Sequence, residues 1–322
     1  MSLLSIENLR VEYLRAGIRI PAVRNVTLAL EPGESLGIAG ESGSGKSTLA
    51  LALLRLLPES ARITAEQMIV GDQNVLALDS PALRVLRGGT VGIVFQDPFS
   101  ALNPVLTVGE QVDEVLDLHA GGRDRARVLS LLAQVRLPDP ADLYGAYPHQ
   151  LSGGQRQRIC LAMAIAGSPK LLIADEPTTA LDVTVQREIL NLLDDLKREL
   201  KMALLLVTHN VGLLSERTDR LAVMYAGEIV EIGPTATVLG SPSHPYTQGL
   251  LKSLPRLSHA YRRLPALPGQ PPDPRHLPEG CPFLPRCPAA FAPCQTADPH
   301  LLPMKESVVQ AACHLYAGTA PR

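Results

Sequence analysis

Three stretches of the chain combine residue types and spacings that can do chemistry. Residues 40–48 read GESGSGKST and fit the pattern G-x-x-x-x-G-K-[ST]. Gly40, Gly43 and Gly45, with Ser42 and Ser44 between them, let the backbone curl so that successive N–H groups face an anion. Lys46 would neutralise β- and γ-phosphate charge. The Ser47 hydroxyl, with Thr48 beside it, would ligate Mg²⁺. The second stretch, LLIADE at 171–176, ends an apolar run in two carboxylates. Asp175 would hold Mg²⁺, directly or through water, and Glu176 would polarise an attacking water as general base. The third is a set of cysteines, Cys281, Cys287, Cys294 and Cys313, spaced C-x5-C-x6-C-x18-C near the end of the chain. The fifth cysteine, Cys160, stands alone and reads as a small buried apolar residue.

A phosphate loop works where a strand delivers it and a helix leaves it. The sequence supplies both. Residues 23–30 read as a strand, Glu31-Pro32-Gly33-Glu34 as a turn, and 35–39 as the delivering strand. Residues 46–57 read as a helix closed by Pro58. A short β-branched run at 91–95 precedes Gln96. Continuous apolar runs at 171–174 and 204–207 suit parallel strands covered on both faces. Open α/β sheets bind ligands at the carboxyl ends of their strands, and that is where Asp175 and Glu176 fall. Between Asp97 and Met163 the pattern turns helical and more polar, with Val112, Val115 and Leu116, then Val128, Leu131 and Leu132, as periodic apolar positions. We therefore expect an α/β nucleotide-binding domain over 1–240, with a helical subdomain at about 97–163, and a separate extension over 241–322.

Composition narrows the class. The chain has 322 residues, 46% of them hydrophobic, enough for a large core. Aromatics are only 3% and Trp is absent, so aliphatic side chains must fill that core. The net charge is −2, which gives no electrostatic case for a nucleic-acid partner. The opening MSLLSIENLR carries Glu7 and no apolar h-region, so a signal peptide is not expected. No window reaches the roughly 18 uninterrupted apolar residues of a membrane helix. The expectation is a soluble, cytoplasmic chain whose membrane role, if any, runs through partners. Prolines crowd the extension from Pro265 through Pro271, Pro272 and Pro274 to Pro293, which excludes long helices and central strands. Such a segment is either disordered or held by something other than a core.

The sequence LSGGQ at 151–155 adds a resemblance. With Ser152 placed 23 residues before Asp175, it is similar to the signature of ABC ATPases. In that family Ser152, Gly153, Gly154 and Gln155 would contact the γ-phosphate of a nucleotide held by the opposite subunit, so two chains complete each site. Further positions match the family's pattern. Gln96 resembles the glutamine that touches Mg²⁺ and couples to the membrane subunit. Ala180-Leu181-Asp182 resembles the loop crossing the dimer interface. His209 resembles the histidine contacting the γ-phosphate, and Tyr13 the aromatic stacked on adenine. Asn210 departs from the family, which commonly has Asp there. The resemblance implies a P-loop α/β cassette with a mixed-sheet core, an antiparallel β subdomain and a helical subdomain. It also implies an ATPase that uses ATP and Mg²⁺.

After residue 240 the match narrows to the ATPases of dipeptide and oligopeptide importers. It is carried by Ser243-His244-Pro245-Tyr246-Thr247, Leu250-Leu251, Leu254-Pro255, Leu267-Pro268-Gly269 and the run from Cys281 to Pro288, with Gln150 and Val223-Met224-Tyr225-Ala226-Gly227 in support. Relatives in this group import peptides or nickel chelates. A soluble ABC ATPase acting on nucleic acid or ribosomes is the competing class. The resemblance implies a chain on the cytoplasmic face of the inner membrane. Its partners would be a second, homologous ATPase subunit, two transmembrane permeases and an extracytoplasmic solute-binding protein. It also implies a [4Fe–4S] cluster on Cys281, Cys287, Cys294 and Cys313. Spacing alone does not separate such a cluster from zinc, since paired C-x2-C knuckles are missing. His314 stands beside Cys313 as a weaker substitute ligand.

Overall fold

The computed structural model describes residues 2–179, 181–253, 267–304 and 308–316. Ala180, Leu254, Pro255 and Pro265, singled out above, lie outside the described residues. Along the chain run β1 (Leu4–Arg15), β2 (Ile18–Leu30), β3 (Ser35–Ala39), α1 (Lys46–Ala52), β4 (Ala61–Thr64), β5 (Gln67–Val70) and β6 (Gln73–Asn74). Next come α2 (Ser80–Val85), β7 (Val91–Val94), α3 (Pro98–Ala101), α4 (Val108–His119), α5 (Arg125–Gln134), α6 (Pro140–Tyr144) and α7 (Gly153–Ile165). They are followed by β8 (Leu171–Asp175), α8 (Val183–Leu200), β9 (Ala203–Thr208), β10 (Arg220–Tyr225) and β11 (Glu228–Pro234). The last are α9 (Thr235–Gly240), α10 (Pro245–Lys252), α11 (Pro293–Thr296), β12 (Leu302–Pro303) and β13 (Gln310–Ala311). The chain divides into two compact units, one of residues 1–4, 30–34 and 69–206, the other of residues 5–29, 35–68 and 207–322.

The first unit is α/β. β7 and β8 are parallel, with Val91 opposite Leu171 and Val94 opposite Ala174, and β9 lies on the other side of β8. Leu171, Leu172, Ile173 and Ala174 are all fully buried, as a strand covered on both faces requires. Gly92 allows close helix packing here, since a Cβ on it would stand 2.2 Å from the Ala164 carbonyl oxygen of α7. Helices α3 to α7 fill the stretch expected to be helical. α4 opens with a capping box in which Thr107 and Glu110 satisfy each other's backbone N–H groups. Its buried Gln111 donates to the carbonyls of Asn103 and Leu106, which ties down the preceding loop. α8 turns Ile189, Leu190, Leu192, Leu193 and Leu196 inward, an amphipathic stripe at helical spacing.

The second unit is mostly antiparallel. β2, β1 and β4 form one layer, with Val11 opposite Ile63. A second layer runs β12-β13-β11-β10-β3. β3 is parallel to β10. β10 and β11 make a hairpin through Ala226 and Gly227, which both take positive φ, 48° and 86°, as a tight hairpin turn of this hand needs. Among the described residues, the proline-rich extension joins the sheet at its edge, through the two-residue strands β12 and β13.

Two expectations need correction. The helix expected over 46–57 ends at Ala52. The following amides turn back three residues, Leu54 to Leu51 and Arg55 to Ala52, and Arg55 takes the left-handed conformation at φ 50°, which stops the helix before Pro58 is reached. The extension also builds an apolar centre, shared with Tyr225 of β10. Phe283 and Tyr246, at most 2% exposed, pack with the equally buried Tyr225 at ring-centroid separations of 4.5 to 5.5 Å. Three aromatics in a chain with few supply buried area that the proline count had seemed to deny it.

Candidate nucleotide site

The phosphate loop belongs to the second unit. β3 delivers it and α1 leaves it, as expected. Gly40 and Gly45 are required by close approach. A Cβ on Gly40 would meet the Met224 carbonyl oxygen at 2.3 Å, and one on Gly45, which sits at φ 100°, would meet that of Ala22 at 2.4 Å. The loop is therefore wedged against β2 and β10, with no room for side chains at Gly40 and Gly45. Lys46 is 4% exposed, and its ammonium donates to the carbonyls of Gly40 and Glu41 at 2.9 Å each. Ser44 Oγ is buried with no hydrogen-bond partner among the described residues. An orphaned buried hydroxyl beside a buried lysine in a curled glycine loop suits an incoming anion. Ser47 and Thr48 open α1, and Thr48 Oγ1 lies 3.4 Å from the hydroxyl of half-buried Tyr13. His209, also in this unit, follows β9 directly and is exposed.

The carboxylates belong to the first unit, as do Gln96 and the signature. Asp175, the last residue of β8, is 5% exposed, and Glu176 is 8% exposed. Glu176 takes φ 46°, an unusual conformation for a residue with a Cβ, of the kind held only where surrounding structure enforces it. Its Oε2 accepts hydrogen bonds from Gln96 Nε2 at 3.1 Å and from Thr179 Oγ1 at 2.8 Å. The carboxylate is thus aimed by two donors, and the structure brings together Gln96 and Glu176, 80 positions apart. Thr179 carries no spacing signal, and sequence reasoning missed it.

Ser152 caps α7. Its Oγ accepts from Gln155 N at 3.2 Å, while Gln155 Oε1 accepts from Ser152 N at 2.9 Å. This reciprocal box fixes the helix start, and Gly153 and Gly154 then present it without side chains. Gly154 could not carry one, since a Cβ would stand 2.8 Å from Val185 Cγ1. Asp182 caps α8, accepting from the amides of Thr184 and Val185 at 3.0 Å.

In the extension, Cys281, Cys287, Cys294 and Cys313 line one pocket, together with Phe283, Leu284 and His314. All are free thiols. Burial pushes Cys281 up to about 11 and also raises Cys287 and Cys313. The Cys281 amide donates to the Cys294 carbonyl at 2.9 Å, which ties the two cysteines together through the backbone. Among the described residues, no three His, Cys, Asp or Glu side chains converge on a single-ion site. His314 Nε2 is 2.8 Å from the Ala297 carbonyl oxygen. Cys160 is buried on α7, and desolvation raises its thiol to about 12, as suits an inert core residue.

One connection between the loop and the extension was not legible beforehand. Glu41, the second residue of the phosphate loop, is paired with Arg286, from Nη1 to Oε2 at 2.7 Å and from Nη2 to Oε1 at 2.9 Å. Its amide donates to the Tyr246 hydroxyl at 2.9 Å. Arg286 lies between two of the cavity cysteines in sequence, and that placement was the available signal.

Comparison with known proteins agrees with this geometry. Residues 23–179 match the ABC transporter family and residues 230–294 the oligopeptide/dipeptide transporter C-terminal region. The dipeptide transport ATP-binding protein DppD of Haemophilus influenzae is 46% identical over 94% of this chain and 92% of its own length. The DppD of Escherichia coli is 43% identical over 98% and 97%. Among solved structures, the dimeric post-hydrolysis state of the ATP-binding cassette MJ0796 bound to ADP and Pi aligns with a TM-score of 0.62. It is 30% identical and covers 72% of this chain and 98% of the other. The cassette fold, the phosphate loop and the C-terminal region agree, and the chain belongs to the ATP-binding proteins of ABC transporters, within the group that carries the oligopeptide/dipeptide transporter C-terminal region.

Proposed function

We propose that this chain is the ATP-hydrolysing subunit of an importer that takes up dipeptides or oligopeptides through membrane permease partners. The observation that carries the chemistry is buried Glu176, held in a left-handed backbone conformation and aimed by Gln96 and Thr179. A carboxylate so fixed suits a general base for water. Residues 40–48 and Lys46 bind the phosphates, Tyr13 the adenine and His209 the γ-phosphate. Ser47, Asp175 and Gln96 would hold Mg²⁺, which supplies charge neutralisation to the triphosphate. Ser152, Gly153, Gly154, Gln155 and Asp182 serve the nucleotide of a partner subunit. The N-terminus of α7, capped by Ser152 and Gln155, offers oriented N–H groups for that purpose.

The peptide assignment rests on the relatives' shared role and on the C-terminal region that this chain carries. The cassette over 1–240 is one domain and 241–322 a second. A second, homologous ATPase chain and an extracytoplasmic solute-binding protein complete the machine at the cytoplasmic face of the membrane. No helix among the described residues is long and apolar enough to cross a membrane, which suits a subunit bound to permeases. The test is uptake of labelled dipeptide by proteoliposomes holding the assembled complex, with ATP enclosed. Uptake that needs ATP and is lost in Glu176→Gln supports the reading. ATP-dependent uptake of a nickel chelate in place of peptides overturns the substrate.

The four cysteines are proposed to ligate a [4Fe–4S] cluster. The four thiols line one pocket, and four cysteines are a ligand set that an iron–sulfur cluster takes. Iron and acid-labile sulfide in anaerobically purified protein check this, and stoichiometric zinc without iron refutes it.

A further inference from the structure

We infer that Arg286 of the extension is a positioning residue of the nucleotide site, which neutralises and immobilises the one carboxylate inside the phosphate loop. The inference rests on the reading of residues 40–48 as the ATP-phosphate loop. Within those residues the charged side chains are Glu41 and Lys46, so their formal charges cancel. A loop with no net side-chain charge is a poor receptor for a triphosphate. Arg286, bidentate to Glu41, brings the local sum to +1 and leaves the Lys46 charge to act on the nucleotide.

The geometry shows a built contact. The Arg286 side chain is 3% exposed, and Glu41's is 25% exposed. A buried guanidinium must satisfy its donors, and this one uses all three nitrogens. Nε donates to the Pro268 carbonyl at 2.8 Å, Nη1 to Glu41 and to the Tyr225 hydroxyl at 3.3 Å, and Nη2 to Glu41. Its carbon lies 5.7 and 5.9 Å from the ring centroids of Tyr225 and Phe283. Lysine has neither the planar fork nor enough donors in this arrangement to replace it. Glu41 is gripped at three points: its carboxylate by Arg286, its amide by the Tyr246 hydroxyl, and its carbonyl by Lys46. Two of those three grips come from beyond residue 240. The same Lys46 that must turn to phosphate thus shares Glu41 with the extension, and the charge state of Glu41 governs how the loop receives an anion.

The experiment measures MgATP affinity of the full-length chain by equilibrium titration for the parent, Arg286→Gln, Arg286→Lys, Glu41→Gln and the Glu41→Gln/Arg286→Gln pair, with a thermal melt of each. Arg286→Gln exposes the loop to an unpaired carboxylate, and its affinity should fall about tenfold or more, equivalent to about 1.4 kcal/mol per decade. That deficit should shrink as salt is raised. Adding Glu41→Gln to it removes the repelling charge and should restore affinity to within about threefold of the parent. Arg286→Lys keeps the charge and loses the fork, so it should bind ATP better than Arg286→Gln while melting below the parent. This variant also decides the matter if Arg286→Gln does not fold. The inference is overturned if Arg286→Gln binds like the parent, or if the double variant binds no better than Arg286→Gln, which would make the pair purely structural. If the parent itself does not bind MgATP, the nucleotide reading falls first and takes this inference with it.

Discussion

Replacing Phe283 with alanine asks what holds the proline-rich extension together. Phe283 is 2% exposed and touches three rings, with centroids 5.2 Å from Tyr225, 5.5 Å from Tyr246 and 5.9 Å from His244. Truncating a fully buried phenylalanine costs about 3–5 kcal/mol, through lost transfer energy and the cavity left behind. The aromatic pairs put this site toward the upper part of that range. For a cooperative unit of this size, 1 kcal/mol lowers Tm by about 2–4 °C, so a loss of about 4–5 kcal/mol should lower it by about 8–20 °C. Phe283→Leu keeps most of the volume and should cost about 1.5 kcal/mol or less. Val85→Ala, at a position 64% exposed, should stay within about 0.5 kcal/mol of the parent. Thermal unfolding by circular dichroism gives the totals, and amide hydrogen exchange over 241–253 and 280–294 locates the loss. A Phe283→Ala variant that melts within about 3 °C of the parent, with unchanged exchange in those segments, would refute the aromatic centre. The extension would then depend on its thiols alone.

Gly45→Ala places a Cβ 2.4 Å from the Ala22 carbonyl oxygen on a backbone at φ 100° and should abolish MgATP binding at concentrations that saturate the parent. Undiminished binding in the same titration would mean that the loop can be rebuilt. Glu176→Gln keeps both polar partners in reach but removes the base, so turnover should fall about 10²–10⁴-fold with MgATP binding retained; parent-level turnover in a phosphate-release assay removes Glu176 from the mechanism. Ser152→Ala deletes the α7 cap, worth about 1 kcal/mol, and should weaken ATP-dependent association of two cassettes in the Glu176→Gln background. Unchanged elution on gel filtration with ATP would count against the signature's role across subunits. Tyr246→Phe leaves the Glu41 amide without its 2.9 Å partner, at a cost of about 1–3 kcal/mol, measurable as a lower melting temperature.

What could be read from the sequence was what the chain encodes contiguously. The phosphate loop is nine consecutive residues whose glycines answer to local curvature, and β3 and α1 flank it as read. The apolar runs marking β7, β8 and β9 were legible because a doubly covered strand has no polar alternation to confuse it. The end of α1 was not, since Arg55 leaves the helix by its own backbone conformation before the proline that seemed to stop it. The orientation of Glu176 was also hidden. Its position after β8 could be read, but its aim depends on Gln96, 80 residues away, and on Thr179, an ordinary turn residue. The extension was the least legible part, because proline content speaks against helices and central strands and is silent about rings. Its contacts with the rest of its unit are long-range in the extreme. Glu41 and Arg286 are 245 positions apart, and Glu41 occupies a variable position of the loop pattern. No periodicity or spacing marks a variable position as the partner of a buried charge. Once Arg286 is buried, however, its charge must be paired, and among the described residues the carboxylate it meets is that of Glu41. The extension that supplies Arg286 also supplies the Tyr246 hydroxyl for the Glu41 amide. Its folding and the conformation of the phosphate loop are therefore one problem. Any change that loosens the aromatic centre around Phe283 should reach the loop through Arg286 and Tyr246.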